Sequence, residues 1–325
     1  MLLPIEVPPS PFAKLASVSS RQQVPPVIAV VGATASGKSA LALDLADHLG
    51  AEVVNTDSMQ VYRGMDVGTA KLPVAERRGI THHLMDVLDV GDPATVAEFQ
   101  GWAREVIGDC RRRGVPPVLV GGSALYTRAI IDEFEFPGTD AEVRRRLEGE
   151  LADLGSEALH TRLREVDPVA AAQVLPSNGR RVVRALEVIE ITGRPFTASL
   201  PEQRYHYDHC VQIGVDIDRE TLDRRIEQRV EEMWAGGFVE EVRGLAGRGL
   251  REGRTASRAL GYQQVLAFLD GELTEAEAKE RTVTGTRRFA RRQDSWFRKD
   301  PRVVWVGWDD PDRVERAVAE VEAFG

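Results

Sequence analysis

The stretch Gly32-Ala33-Thr34-Ala35-Ser36-Gly37-Lys38-Ser39 constrains this chain more than any other. It follows the apolar run Val27-Ile28-Ala29-Val30-Val31 and precedes a segment, 39–49, that places Leu41, Leu45 and Leu49 on one helical face before Gly50. A short run with no polar alternation suits a strand buried on both faces of a parallel sheet. The pattern G-x-x-x-x-G-K-[ST] between such a strand and a helix is a phosphate-binding loop. Its glycines let backbone N–H groups wrap around phosphate oxygens, and the helix N-terminus adds positive potential. Lys38 supplies a point charge and Ser39 a hydroxyl for Mg²⁺, so the motif reads as nucleotide- or ATP-binding. It predicts a polyphosphate ligand and leaves the reaction open.

The remaining pattern fits an α/β architecture with a parallel sheet. Strands are expected at 51–55, 117–121, 211–215 and 303–306, with a helix at 96–113 before the second of them. Between about 130 and 214 the strand signal vanishes, and 141–154, 157–166, 168–174 and 180–192 have helical periodicity broken by Gly and Pro. Helices follow at 219–235, 238–246, 256–269, 274–297 and 312–324. The expected division is a catalytic core of 27–129 and 215–325, interrupted by a helical insertion at 130–214. Residues 1–26, with six prolines, read as a mobile leader.

Composition narrows the class. At 325 residues, 42% hydrophobic and 29% charged, the chain is neither disordered nor fibrous. No run approaches a membrane span and prolines interrupt any signal peptide, so a soluble, cytoplasmic protein with no membrane partner is expected. Cys110 and Cys210 match no zinc spacing and read as buried hydrophobes. His82 and His83 likewise lack partners at ligand spacing and favour a structural role. The net charge of −9 excludes indiscriminate nucleic-acid coating but not a local basic groove.

Partner motifs discriminate further. An ordinary ATPase or GTPase of this class carries a Mg²⁺-associated acid at a strand end, but here 117–120 runs into Gly121-Gly122-Ser123. Asp216 is a distant substitute. The strand at 51–55 does lead to an acid, Asp57, which in a doubly wound sheet points into the ligand crevice. Two readings stay open for Asp57: a helix N-cap, or a base that takes a proton from an acceptor held in line with the phosphates.

These motifs, with Tyr62, Gly64-Met65-Asp66-Val67-Gly68-Thr69-Ala70-Lys71, His82-His83-Leu84-Met85-Asp86, Gly121 to Tyr126, Arg180 to Val188, Gly261-Tyr262 and Thr286 to Trp296, resemble bacterial tRNA dimethylallyltransferases. The resemblance runs in order from about Val27 to Arg298. It implies a P-loop NTPase-like sheet with an all-helical insertion, and prenyl rather than phosphoryl transfer. Gly32 to Ser39 would hold the diphosphate of dimethylallyl diphosphate, and the acceptor would be N6 of the adenosine just 3′ of a tRNA anticodon. Asp57 would be the general base, Thr34 and Arg287 would stabilise the leaving diphosphate, and Lys38 and Ser39 with Mg²⁺ would assist. Departures are mild: Ala33, Ser123, Ala124 and Arg291 stand where the family usually has Pro, Thr, Gly and Lys.

The resemblance also assigns the RNA side. Asp57, Ser58, Met59 and Gln60, Ser123, and Arg258, Ala259, Leu260, Gly261, Tyr262 and Gln263 match segments that hold the extruded base and its neighbours. Arg144, and Arg180, Arg181, Val182, Val183 and Arg184 match tRNA contacts on the insertion. On a helix, Arg287 with Arg291 and Arg288 with Arg292 form two rows of like charge, which a polyanion would relieve. Tyr62, Tyr126 and Tyr262 are stacking candidates, although tyrosines are more often core. The competing readings are a P-loop small-molecule kinase and an adenylate isopentenyltransferase acting on free AMP or ADP. A monomer is the default.

Overall fold

The computed structural model describes residues 24–134, 136–196 and 203–323. The expected leader therefore lies almost wholly outside the described residues. Six parallel strands form one sheet in the order β3-β2-β4-β1-β5-β6. They are β1 Val27–Val31, β2 Glu52–Asn55, β3 His82–His83, β4 Pro117–Val120, β5 Cys210–Asp216 and β6 Val303–Gly307. Strand β1 is completely buried between β4 and β5, which explains its unbroken apolar sequence. Alternate residues feed two cores. Val27, Ala29 and Val31 join one with Phe99, Ile107 and Tyr126. Ile28 and Val30 join the other with Leu41, Leu45 and Val318.

The helices are α1 Lys38–Leu49, α2 Val96–Arg112, α3 Ala124–Ile131, α4 Ala141–Leu154, α5 Ser156–Val166, α6 Pro168–Gln173, α7 Gly179–Thr192, α8 Arg219–Ala235, α9 Phe238–Ala246, α10 Tyr262–Leu269, α11 Glu275–Phe297 and α12 Arg313–Ala323. Helices α4 to α7 close around a separate core of Leu147, Leu159, Leu163, Val182, Val183 and Leu186. A fourth, small cluster matters most for the site. Ala33 and Ala35 of the phosphate loop pack on Leu222 and Ile226 of α8 and Ala290 of α11. Two long helices thus hold the loop from outside the sheet.

Two expectations are corrected, and α3 and β3 are elements that the sequence pattern did not place. Strand β5 starts at Cys210 and pairs with β1 from that residue, so 210–214 belong to the sheet and not to the insertion. Strand β3 has only two residues, both polar, and lies at the sheet edge, where no apolar run would reveal it. The helix expected at 256–269 is split into a 3-10 turn, Ala256–Arg258, and α10, because Gly261 adopts φ 91°, in the left-handed region.

Candidate active site

The phosphate loop joins β1 to α1 and is already closed on itself. The Lys38 ammonium reaches back to the Ala33 carbonyl at 2.6 Å. Burial, reinforced by the Arg229 charge, lowers the Lys38 pKa to about 7, while Asp57 opposes the shift. Ala35 is held at φ 64°, a conformation that a non-glycine residue keeps only where its surroundings enforce it. Ala33, Ala35 and Ser36 are buried, and the Ser36 hydroxyl has no hydrogen-bond partner among the described residues. Ser39 is exposed at the start of α1.

Asp57 follows β2 and is fixed by its neighbours. Asn55 Oδ1 accepts the Asp57 N–H at 2.8 Å, and Asp57 Oδ1 accepts the Met59 N–H at 2.8 Å. No helix begins there, so the helix N-cap reading is corrected to a turn cap that uses one carboxylate oxygen. Asp57, Thr34, Thr69, Arg229 and Phe289 all border two cavities. The larger, about 1000 Å³, also touches Ser58, Met59, Ser123, Arg258 to Gln263, Arg288 and Arg292. The smaller, about 100 Å³, reaches Lys38, Ser39 and Gln60.

The missing strand-end acid has a steric reason. A Cβ on Gly121 would lie 2.2 Å from Thr56 Oγ1 and 2.9 Å from the Asp57 nitrogen, so β4 must end without a side chain for β2 to present Asp57 beside it. Asp216 is no substitute: it pairs with Arg298 and borders neither cavity.

Arg287 is not where the resemblance put it. Its guanidinium turns to α8, with Nη2 2.6 Å from Glu227 Oε1, and it borders neither cavity. Arg229, on α8, instead places Nη1 3.4 Å from Thr34 Oγ1. Sequence reasoning missed Arg229 because it is one of several arginines on a strongly charged helix. Its spacing carried a signal nonetheless, since Leu222, Ile226 and Val230 are buried and 229 falls beside that stripe. Two further residues were missed. Glu241 accepts the N–H groups of Asp66, Val67 and Gly68 and the Tyr262 hydroxyl, holding the turn that brings Thr69 to the cavities. Gln293 bonds both the phosphate loop and the end of β4.

The expected RNA face is also redrawn. Arg144 and Arg184 both bind the fully buried Glu187, and Arg184 also donates to the carbonyls of Pro137 and Gly138. Val182 and Val183 face the α4–α7 core. Arg180 and Arg181 remain exposed on α7, as do Arg258, Arg288, Arg291 and Arg292 around the larger cavity and along α11. Tyr62, Tyr126 and Tyr262 are core residues, with Tyr62 and Tyr262 fully buried, so none is a stacking platform.

Glu52, His83 and Cys110 bring three ligand-type atoms within 4.8 Å of one another. The geometry is that of a hydrogen-bond knot: Arg113 spans both Glu52 oxygens at 2.8 and 2.6 Å, and His83 Nε2 lies 2.7 Å from Oε2. Burial and Glu52 push the Cys110 thiol up to about 11. His82 Nδ1 meets the Ile80 carbonyl at 2.9 Å. Both cysteines are buried and unpaired to each other. Among the described residues no helix is long and apolar enough to cross a membrane.

Comparison with known proteins agrees with this geometry. The IPP transferase family model matches residues 60–300, and the isopentenyl transferase model matches 25–91. A tRNA dimethylallyltransferase of Nocardioides sp. is 69% identical over 92% of this chain and 96% of its own length. That of Thermobifida fusca is 62% identical over 91% and 94%. The tRNA isopentenylpyrophosphate transferase of Bacillus halodurans superposes with a TM-score of 0.69 at 37% identity, covering 93% of this chain and 98% of that one. A eukaryotic dimethylallyltransferase acting on tRNA gives 0.81 at 27% identity, over 92% and 79%. A parallel P-loop sheet that ends in a carboxylate beside a basic phosphate loop, matched along nearly its whole length, places this chain in the tRNA dimethylallyltransferase family.

Proposed function

We propose that the protein transfers a dimethylallyl group from dimethylallyl diphosphate to N6 of the adenosine 3′ of the anticodon in tRNA. One observation supports the reading: Asp57, Thr34 and Arg229 border both cavities, of which the smaller reaches Lys38 and the larger reaches the exposed Arg258, Arg288 and Arg292. A proton acceptor, a diphosphate cradle and a polyanion surface therefore meet at one place. The diphosphate lies against the loop amides, Lys38 and Ser39, and the base enters from the larger cavity.

In the reaction N6 attacks the allylic carbon, the carbon–oxygen bond to diphosphate breaks, and the N6 proton passes to the free oxygen of Asp57. Charge builds on the departing oxygen, where Lys38 and Arg229 stabilise it. Arg229 takes the role that the resemblance gave to Arg287. Filling both cavities with substrate excludes the water that would otherwise capture the allylic cation. The Ser39 hydroxyl and diphosphate oxygens are hard donors suited to Mg²⁺, which when bound would neutralise leaving-group charge.

Two other acceptors are weighed in one assay. The protein is incubated with Mg²⁺, labelled dimethylallyl diphosphate and either unmodified tRNA, AMP, or ATP plus small alcohols. Label in tRNA alone is expected. Label in AMP but not tRNA would establish the adenylate reading, and phosphate transfer from ATP the kinase reading.

A further inference from the structure

We propose that Gln293 is a positioning residue that ties the RNA-facing helix α11 to the phosphate loop, so that diphosphate and tRNA sense each other through one buried carboxamide. The proposal rests on the reading of the site given above. Gln293 is 6% exposed. Its Oε1 accepts the Thr34 N–H at 2.8 Å, and its Nε2 donates to the Gly122 carbonyl at 2.7 Å. Loop, strand end and helix, far apart in sequence, are thereby joined at a single group.

The chemistry at each end dictates the residue. An N–H can only donate and a carbonyl can only accept, so the bridge needs one acceptor and one donor at fixed separation, which a glutamine amide supplies. A glutamate would set a carboxylate against the Gly122 carbonyl, and an apolar side chain would leave two buried polar groups unpaired. Space is reserved for it as well. A Cβ on Gly122 would fall 2.2 Å from Gln293 Nε2.

The consequence concerns Thr34. In a phosphate loop the backbone amides are the usual anion ligands. Here the Thr34 amide is taken by Gln293, which leaves the Thr34 hydroxyl, 3.4 Å from Arg229 Nη1, as the part of that residue offered to the cavity. On the same helix Phe289 borders both cavities, and Arg288 and Arg292 border the larger. RNA pressing on α11 therefore acts on the loop through Gln293, and by linkage diphosphate acts on RNA affinity to the same extent.

The test compares wild type, Gln293→Met and Gln293→Glu. Methionine keeps the volume and removes both hydrogen bonds; glutamate keeps the acceptor and loses the donor. Three quantities are measured: affinity for inorganic diphosphate with Mg²⁺, with and without tRNA; tRNA affinity alone; and the single-turnover transfer rate. Both variants are expected to hold tRNA alone within about twofold of wild type. The enhancement of diphosphate affinity by tRNA should vanish, and transfer should fall about tenfold or more, as for reacting groups displaced by a fraction of an ångström. Unchanged coupling and transfer in a folded variant would overturn the proposal, as would a loss confined to thermal stability. Should one variant fail to fold, the other and Gly122→Ala, which crowds the amide from its far side, decide the same question. Wild-type failure to modify tRNA would instead sink the functional reading, and the diphosphate measurement stands apart from it.

Discussion

The proposed reaction depends on Asp57 and Arg229, and they were legible to different degrees. Asp57 could be read because the strand before it is an apolar run and strand ends line the crevice of a doubly wound sheet. Arg229 could not be singled out because its role depends on α8 crossing the loop, a tertiary fact. Arg287 shows the converse, a motif position that the fold commits to α8 acids. Asp57→Ala should bind both substrates and transfer about 100-fold more slowly, as for a lost general base. Wild-type rates in that variant would remove the role. Arg229→Ala should likewise lose about 100-fold in single-turnover transfer. Arg287→Ala, which breaks a partly exposed pair, should change it by less than about threefold. Reversal of that ranking would restore the assignment made from resemblance.

At the level of elements, local signals located most helices to within a residue or two. Helix α11 begins where Thr274 and Glu277 cap each other reciprocally, a pattern visible in sequence. Two elements escaped: α3, an apolar helix directly after Gly121-Gly122-Ser123, and β3, which has no local signal. Strand β3 is a two-residue polar edge, and its His83 is fastened by Glu52 rather than by apolar packing. The same knot makes a prediction about pH. Hydrogen bonds from Arg113, aided by His83, hold the Glu52 carboxyl down to about 2 from its ordinary 4.5, against the effect of burial. A depressed carboxylate stabilises the fold fully above about pH 4.5 and loses that contribution as pH falls toward about 2. Glu52→Gln should therefore be less stable than wild type at pH 7, and the gap should close as both are acidified through this window in urea titrations. A gap that stays constant with pH would mean that the carboxylate charge is irrelevant there.

In the proposed reading the molecule reconciles a net charge of −9 with a polyanionic substrate by pairing some arginines with acids and leaving others exposed on α7, around the larger cavity and along α11. Glu187, invisible as a functional residue in sequence, engages Arg144 and Arg184, which leaves Arg180 and Arg181 as the exposed arginines of the α7 cluster. A buried carboxylate must be paired, and sequence alone does not say which arginine pairs it. Arg180→Ala with Arg181→Ala should weaken tRNA binding and flatten its salt dependence, the logarithmic slope falling by roughly 0.7 for each phosphate no longer neutralised. Salt slopes that match wild type would leave these side chains merely solvated.

The most direct test of the central claim follows one turnover of labelled dimethylallyl diphosphate on saturating unmodified tRNA, with the RNA then digested to nucleosides. The site described here predicts label on the adenosine 3′ of the anticodon for wild type and almost none for Asp57→Ala at the same time point. Label on another nucleoside, or equal label with the carboxylate removed, would contradict it.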